Sequence, residues 1–134
     1  MKVLLDTNAY SELLRGNEAV HELLENSDKI YMSVIVVAEL LTGFKGGSKE
    51  KQNIEILNEF NSNPKVLIID VTTKTAAIFS EIKHYLKTKG LAIPINDVLI
   101  AAQSFEFQST IITFDKHFSN IPKIKVHEMR AIRN

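Results

Sequence analysis

Four acidic residues stand where a carboxylate could do chemistry rather than simply face solvent. Asp6 and Asp115 each follow a short apolar run, Asp97 opens a predicted helix, and Glu39 lies in a mainly apolar segment. Taken singly, the first three also suit turns or helix caps, whereas a buried Glu39 needs a cation or a metal as its partner. Converging carboxylates favour a hard divalent cation, Mg²⁺ or Mn²⁺, which suits phosphodiester hydrolysis. Without the ion, mutual repulsion is expected to raise at least one of their pKa values.

Short apolar segments alternate with helical patterns along the chain. The predicted strands cover residues 2–5, 30–32, 66–69, 110–113 and 125–127. The predicted helices cover residues 8–15, 18–26, 33–44, 48–61, 73–89 and 96–107. This alternation is typical of an α/β fold with a parallel sheet covered on both faces, in which ligands bind beyond the carboxyl ends of the strands. Asp6 and Asp115 fall at such ends, so we expect the acids to lie along one edge of the sheet.

Polar residues and glycines mark several predicted helix ends. Ser33 and Ser48 are predicted to cap the third and fourth helices, and Gly90 is predicted to end the fifth. Val34–Val37 has strand-like chemistry, but the apolar run continues through Leu41, beyond the usual length of a strand. We therefore predict that this segment is helical, which places Glu39 on a helix.

Length and composition narrow the class of protein. The 134 residues predict a single domain spanning 1–134, and 45% hydrophobic with 24% charged residues is ordinary for a soluble globular protein. The absence of cysteine excludes a disulfide framework, a thiolate zinc site and a cysteine nucleophile. No apolar run is long enough to span a membrane or to form the core of a signal peptide. These features predict a cytoplasmic protein with no membrane partner.

Charge is unevenly distributed along the chain. The formal net charge is zero, yet residues 116–134 carry five cations and one anion, so the rest of the chain is net negative. A basic segment beside an acidic site suits contact with a phosphate backbone, although a solvated tail accounts for the same charges. Arg15, one short helix after Asp6, and His117, two residues after Asp115, are further candidates for a phosphate contact.

Each acid also lies within a longer recognisable segment. The four segments are Leu4-Leu5-Asp6-Thr7-Asn8, the run from Ser33 to Gly43 that contains Ala38-Glu39-Leu40, Ile95-Asn96-Asp97-Val98-Leu99-Ile100-Ala101-Ala102, and Thr113-Phe114-Asp115-Lys116-His117-Phe118. In this order and at this spacing, they resemble the PIN-domain ribonucleases, specifically the VapC-type toxins of bacterial and archaeal toxin–antitoxin pairs. The resemblance covers nearly the whole chain.

The resemblance implies a fold, an activity and partners. It implies a three-layer α/β/α domain with a central parallel sheet, and a metal-dependent endoribonuclease that cuts structured cellular RNA, typically a transfer RNA. It also implies a homodimer and a cognate antitoxin that covers the acidic pocket. The RNA target, the cleavage position and the contribution of the basic C-terminal segment to RNA binding are left open by the sequence.

The resemblance also implies roles for individual residues. Asp6 and Asp97 resemble the direct Mg²⁺ ligands, with Mn²⁺ as a substitute, while Glu39 and Asp115 would act through water or hold a second ion. Three further residues resemble groups that orient the acids: Thr7, Asn8 and Thr113. His117 is not expected to serve as a base, because a metal-activated water needs none.

Three alternatives remain at this point. A phosphatase of the haloacid-dehalogenase kind would use Asp6 as its nucleophile, but it needs a second acid two residues later, where this chain has Asn8. A response-regulator-like receiver would place its acids near the first strand, which Glu39 and Asp97 do not fit. A non-catalytic PIN fold that only binds proteins is also compatible with the sequence, although four intact acids argue against it.

Overall fold

The structure is a computed structural model that describes residues 1–130. Residues 131–134, including Arg133 of the predicted basic segment, lie outside the described residues. The described chain contains one five-stranded sheet with strand order β3-β2-β1-β4-β5, and every neighbouring pair is parallel. The strands are β1 (Lys2–Leu5), β2 (Lys29–Ser33), β3 (Val66–Ile69), β4 (Thr110–Thr113) and β5 (Lys125–Glu128).

Six α-helices flank the sheet within residues 1–130. They are α1 (Thr7–Leu14), α2 (Glu18–Glu25), α3 (Val34–Phe44), α4 (Glu50–Asn61), α5 (Thr73–Thr88) and α6 (Ile95–Glu106). The predicted α/β/α architecture with a central parallel sheet is confirmed, and every predicted strand and helix is present with ends within two residues of the prediction. None of the helices described combines the length and apolar character that a membrane span requires.

The strand β1 lies at the centre of the sheet because its side chains are apolar on both faces. Val3, Leu4 and Leu5 are fully buried, as are Ile111 and Ile112 of the neighbouring β4. A run that is apolar on both faces belongs inside a parallel sheet covered by helices, whereas a half-exposed strand would alternate with polar residues. The residue that follows β1 is consequently held at the middle of the carboxyl edge.

Helix ends follow the local signals at two of the three predicted positions. The Ser33 hydroxyl accepts a hydrogen bond from the backbone N–H of Ile35 at 3.1 Å, which caps α3, and Gly90 ends α5 with a φ of 66° that glycine adopts without strain. Ser48 does not cap α4, so that prediction is wrong. Lys49 holds the cap position and makes no side-chain capping bond, and the Glu50 carboxylate instead accepts from the N–H of Gly46 at 2.7 Å.

Candidate active site

An open cleft of about 820 Å³ lies beyond the carboxyl ends of β1 and β4. All four predicted acids line it, together with two of the three predicted supporting residues: Asp6, Glu39, Asp97, Asp115, Thr7 and Asn8. The acids reach the cleft from four different places in the chain, namely the ends of β1 and β4, the middle of α3 and the first turn of α6. Thr113, the third supporting residue, lies fully buried next to Asp6.

Asp6 is the most deeply placed of the acids, with 4% of its surface exposed. Its backbone N–H donates to the carbonyl of Ile112 at 3.0 Å, which continues the β1–β4 pairing by one residue. Its side chain makes no capping bond to α1, so the capping interpretation of Asp6 does not hold. The Thr113 hydroxyl instead donates to Oδ2 of Asp6 at 2.8 Å and fixes the orientation of the carboxylate.

A small hydrogen-bond network ties the ends of β1 and β4 together around Thr113. The N–H of Asp115 donates to the Thr113 hydroxyl at 3.0 Å, which leaves the hydroxyl proton for Asp6. The Asn8 side-chain oxygen accepts from the N–H of Phe114 at 3.0 Å. These bonds fix the turn that carries Asp115. Thr113 and Asn8 therefore also position Asp115, although neither contacts its carboxylate.

Glu39 is half-buried and is held by a neighbour from a different element. The Thr7 hydroxyl donates to Oε1 of Glu39 at 2.6 Å, and α3 presents Glu39 to the cleft one turn and a half after its Ser33 cap. The sequence predicted a cation or a metal as the partner of this carboxylate. Among residues 1–130 the hydrogen-bond partner of this carboxylate is a neutral hydroxyl, which orients it but brings no positive charge.

Asp97 and Asp115 are joined by a histidine. Nε2 of His117 lies 2.7 Å from Oδ2 of Asp97, and Nδ1 lies 3.1 Å from Oδ1 of Asp115. One oxygen or nitrogen from each of the three side chains falls within 4.8 Å of the others. The sequence placed His117 near the site as a candidate for a phosphate contact and did not predict its position between two acids. The only signal was the two-residue spacing from Asp115, which does not specify where a side chain points.

Two of the acids have raised pKa values. Burial raises the pKa of Asp6 from 3.8 to about 6, with smaller upward contributions from the charges of Asp97 and Glu39, while the Thr113 hydrogen bond opposes the rise. Burial also raises the pKa of Asp97, against the lowering effect of His117. The predicted rise in pKa is therefore found, but its main cause differs from the prediction. Desolvation by burial contributes more to the rise than repulsion between carboxylates does.

The donor set fits a hard divalent cation. The lining acids offer only carboxylate oxygens, the ligands that Mg²⁺ and Mn²⁺ prefer. The buried carboxylate of Asp6 contacts a neutral hydroxyl and no cationic side chain within the described residues. A cation bound between the acids would compensate that charge. Without a cation, the cost of desolvation lowers the free energy of unfolding.

The sequence pattern of the PIN domain family matches residues 3–124, which includes all four acids and their supporting residues. The chain belongs to the PIN-domain family, among its VapC-type toxins. This membership agrees with the resemblance drawn from the four acidic segments. Relatives of the chain in this family are named ribonucleases.

VapC-type relatives match most of the chain. Ribonuclease VapC2 of Rickettsia felis is 36% identical over 104 residues, which is 77% of this chain and 76% of that protein. Toxin FitB of Neisseria gonorrhoeae is 35% identical over 125 residues, 84% of this chain and 87% of that protein. The solved VapBC2 complex of Rickettsia felis, bound to a DNA fragment from its promoter, superposes with a TM-score of 0.86 at 31% identity, covering 96% of this chain and 99% of that one.

Proposed function

We propose that this protein is a metal-dependent endoribonuclease toxin that hydrolyses phosphodiester bonds of structured cellular RNA, with a transfer RNA as the expected substrate. One observation carries the proposal: four carboxylates from four separate elements line a single open cleft. A structural role would not need acids from distant parts of the chain to converge, because each raises the cost of burying the others. The names of its VapC relatives support ribonuclease chemistry.

We assign the metal to Asp6 and Asp97, with Glu39 and Asp115 acting through water or on a second ion. A bound Mg²⁺, or Mn²⁺ in its place, supplies a Lewis acid that lowers the pKa of a water and stabilises the leaving oxygen. The chain's own part is to hold the carboxylates in place. Three supporting side chains do this through the hydrogen bonds described above: Thr7, Asn8 and Thr113.

Arg15 is the cation best placed to meet a phosphate at this cleft. It is the only lysine or arginine among the described residues that line the cleft, and it is 70% exposed at the side chain. Its contact with Glu12, at 3.4 Å, is a long surface pair that a phosphate can displace at little cost. Arg15 therefore offsets the repulsion between an acidic cleft and RNA. We also propose that the protein acts in the cytoplasm, where structured RNA is available.

We propose two protein partners. The first is a cognate antitoxin that covers the cleft and places an arginine among the acids, where a guanidinium can bond two carboxylate oxygens in place of metal charge. Solved complexes of VapC relatives with their antitoxins support this partner. The second is another copy of the chain. The edge strand β3 leaves Leu67 and Ile68 41% and 51% exposed, and a homodimer would cover apolar surface of this kind.

The proposal is tested by incubating the purified toxin with total cellular RNA in Mg²⁺, and in EDTA as the matched control, and then sequencing the new RNA ends. We expect a few sharp cleavage positions within folded RNA, absent in EDTA. Cleavage that persists in EDTA would contradict metal dependence. Sedimentation of the isolated chain tests the homodimer in the same preparation.

The alternatives predict other outcomes. A phosphatase of the haloacid-dehalogenase kind would form an acyl-phosphate on Asp6, and the position that should carry its second acid is Asn8, whose oxygen is committed to Phe114. A non-catalytic PIN scaffold would bind an antitoxin yet leave every RNA intact in Mg²⁺ and Mn²⁺. That last result, with folded protein and active control nuclease, would replace the nuclease by the scaffold.

A further inference from the structure

The histidine between two of the acids has no role in the assignment above. Both of its ring nitrogens face carboxylates, Nε2 towards Asp97 and Nδ1 towards Asp115. Nε2 forms a hydrogen bond with Asp97 at 2.7 Å, and Nδ1 lies 3.1 Å from Asp115. Both nitrogens therefore lie against carboxylates, and His117 is not one of the residues that line the cleft. The sequence made His117 a candidate for a phosphate contact, whereas the structure places both of its nitrogens beside acids of the site.

The bridge connects two rigid elements. His117 lies on a 3₁₀ helix, Lys116–Asn120, that the sequence did not predict. Phe118, the next residue, is fully buried, and Ile121 is 3% exposed, so this short helix is anchored in the core. Asp97 lies on α6, whose Val98 is also fully buried. The imidazole therefore spans a fixed gap rather than following a mobile loop.

Each carboxylate meets the ring through one oxygen. The ring contacts Oδ2 of Asp97 and Oδ1 of Asp115, and the second oxygen of each carboxylate remains available. We infer that His117 is a positioning residue, which holds Asp97 and Asp115 by one oxygen each so that their other oxygens are set for the metal. This inference rests on the proposed metal site, and hydrogen bonds of this kind to ligating carboxylates govern metal affinity in other proteins.

Substitutions that imitate one ring nitrogen at a time test the inference. In His117→Gln the amide nitrogen falls near the position of Nε2 and can still donate to Asp97. In His117→Asn it falls near Nδ1 and can reach only Asp115, while His117→Ala loses both contacts. His84→Ala is the matched control, because His84 is exposed on α5 away from the cleft lining.

Mn²⁺ alone is the probe, and free Mn²⁺ counted by electron paramagnetic resonance gives its Kd for each variant without any RNA. We expect His117→Ala and His117→Asn to weaken Mn²⁺ binding about tenfold or more, with His117→Gln near wild type and His84→Ala unchanged. Cleavage by His117→Ala should recover towards the wild-type rate at saturating metal, because the ligands themselves are intact.

Several results would overturn the inference. Equal Kd values for wild type and His117→Ala would remove any effect of His117 on the metal, and failure of His117→Gln to restore binding would exclude the bond to Asp97 as the cause. A nitrogen directly coupled to Mn²⁺ in the wild-type spectrum would make His117 a ligand instead. Wild type that binds no Mn²⁺ would overturn both this inference and the metal site, whereas tight binding without RNA cleavage would contradict only the proposed function.

Discussion

Asp6 is the most deeply buried of the four acids, and its burial carries an electrostatic cost. It is 4% exposed, it accepts a hydrogen bond from a neutral threonine, and its pKa is raised to about 6 chiefly by burial. In the metal-free protein, ionising this carboxylate works against folding. The same property makes the folded pocket a good cation site, because a bound cation relieves the cost that burial imposes.

The raised pKa predicts how metal-free stability depends on pH. Between the ordinary pKa of 3.8 and the folded pKa of about 6, folded Asp6 holds its proton more tightly than unfolded Asp6. The free energy of unfolding therefore contains a favourable term that is complete below pH 3.8 and is lost as the pH rises through 6. The shift corresponds to at most about 3 kcal/mol. Urea unfolding in EDTA at a series of pH values measures this loss.

The variant Asp6→Asn isolates the Asp6 contribution from other groups that titrate in the same range. Asparagine keeps the shape and can still accept from Thr113, but it has no charge to desolvate. We expect Asp6→Asn to be more stable than wild type by about 1–3 kcal/mol at pH 7 in EDTA, with the difference vanishing near pH 4. An equal or lower stability at pH 7 would show that burial does not strain this carboxylate.

Among the elements, α3 depends on its cap in a way that reaches the site. Ser33 ends β2 and its hydroxyl accepts from the N–H of Ile35, so it fixes the angle at which α3 leaves the sheet and carries Glu39. Ser33→Ala should cost about 1 kcal/mol of unfolding free energy, the usual value of an N-cap. Urea denaturation measures the loss, with Ser48→Ala as the control because Ser48 caps nothing. Equal losses in the two variants would contradict the cap.

The elements were predictable because their signals are local. The apolar strand β1, the serine before α3 and the glycine after α5 each act within a few residues of chain. The predicted Ser48 cap of α4 was wrong, since Lys49 holds the cap position and the Glu50 carboxylate accepts from the N–H of Gly46. The 3₁₀ helix was missed because so short a helix has no apolar period of its own and is held by the burial of Phe118.

The site was predictable as a set of acids but not as a network. The acids could be chosen because a carboxylate at a buried strand end or in an apolar segment is costly unless it binds a partner. The bonds from Thr7 to Glu39 and from Thr113 to Asp6 join residues 32 and 107 positions apart, and no local pattern encodes such pairs. The bridge by His117 depends on the anchoring of an element that was itself unforeseen. Contacts between residues far apart in the chain therefore could not be predicted from the sequence.

At the scale of the whole molecule, metal binding and folding should be linked. The four acids are brought together only in the folded chain, so a divalent ion binds the native state and not the unfolded one. Mg²⁺ or Mn²⁺ at ten times its Kd should add about 1.4 kcal/mol to the free energy of unfolding, visible as a raised Tm. Asp97→Asn should lose most of this gain, while NaCl of equal ionic strength should not produce it. A Tm that neither ion changes would count against the metal site.

The cognate antitoxin should compete with the metal and the RNA for the same surface. A guanidinium among the acids compensates the charges that the ion would otherwise compensate. We expect antitoxin to stop cleavage in Mg²⁺ and to release bound Mn²⁺ in stoichiometric amounts, with an antitoxin lacking that arginine far weaker at both. Full inhibition by a partner that leaves Mn²⁺ bound would refute the blocking mechanism. It would not contradict the proposal that the protein is a nuclease.

The most direct test of the proposed nuclease site compares RNA cleavage by wild type, Asp6→Asn and Asp97→Asn in saturating Mg²⁺. Asparagine keeps the size and much of the hydrogen bonding of each ligand but loses the charge that holds the ion. We expect each variant to lose at least about 10²-fold in rate, the scale of removing one electrostatic stabiliser. Glu22→Gln, a change at an exposed acid on α2, should cleave like wild type. Wild-type rates in both Asp6→Asn and Asp97→Asn would contradict the account.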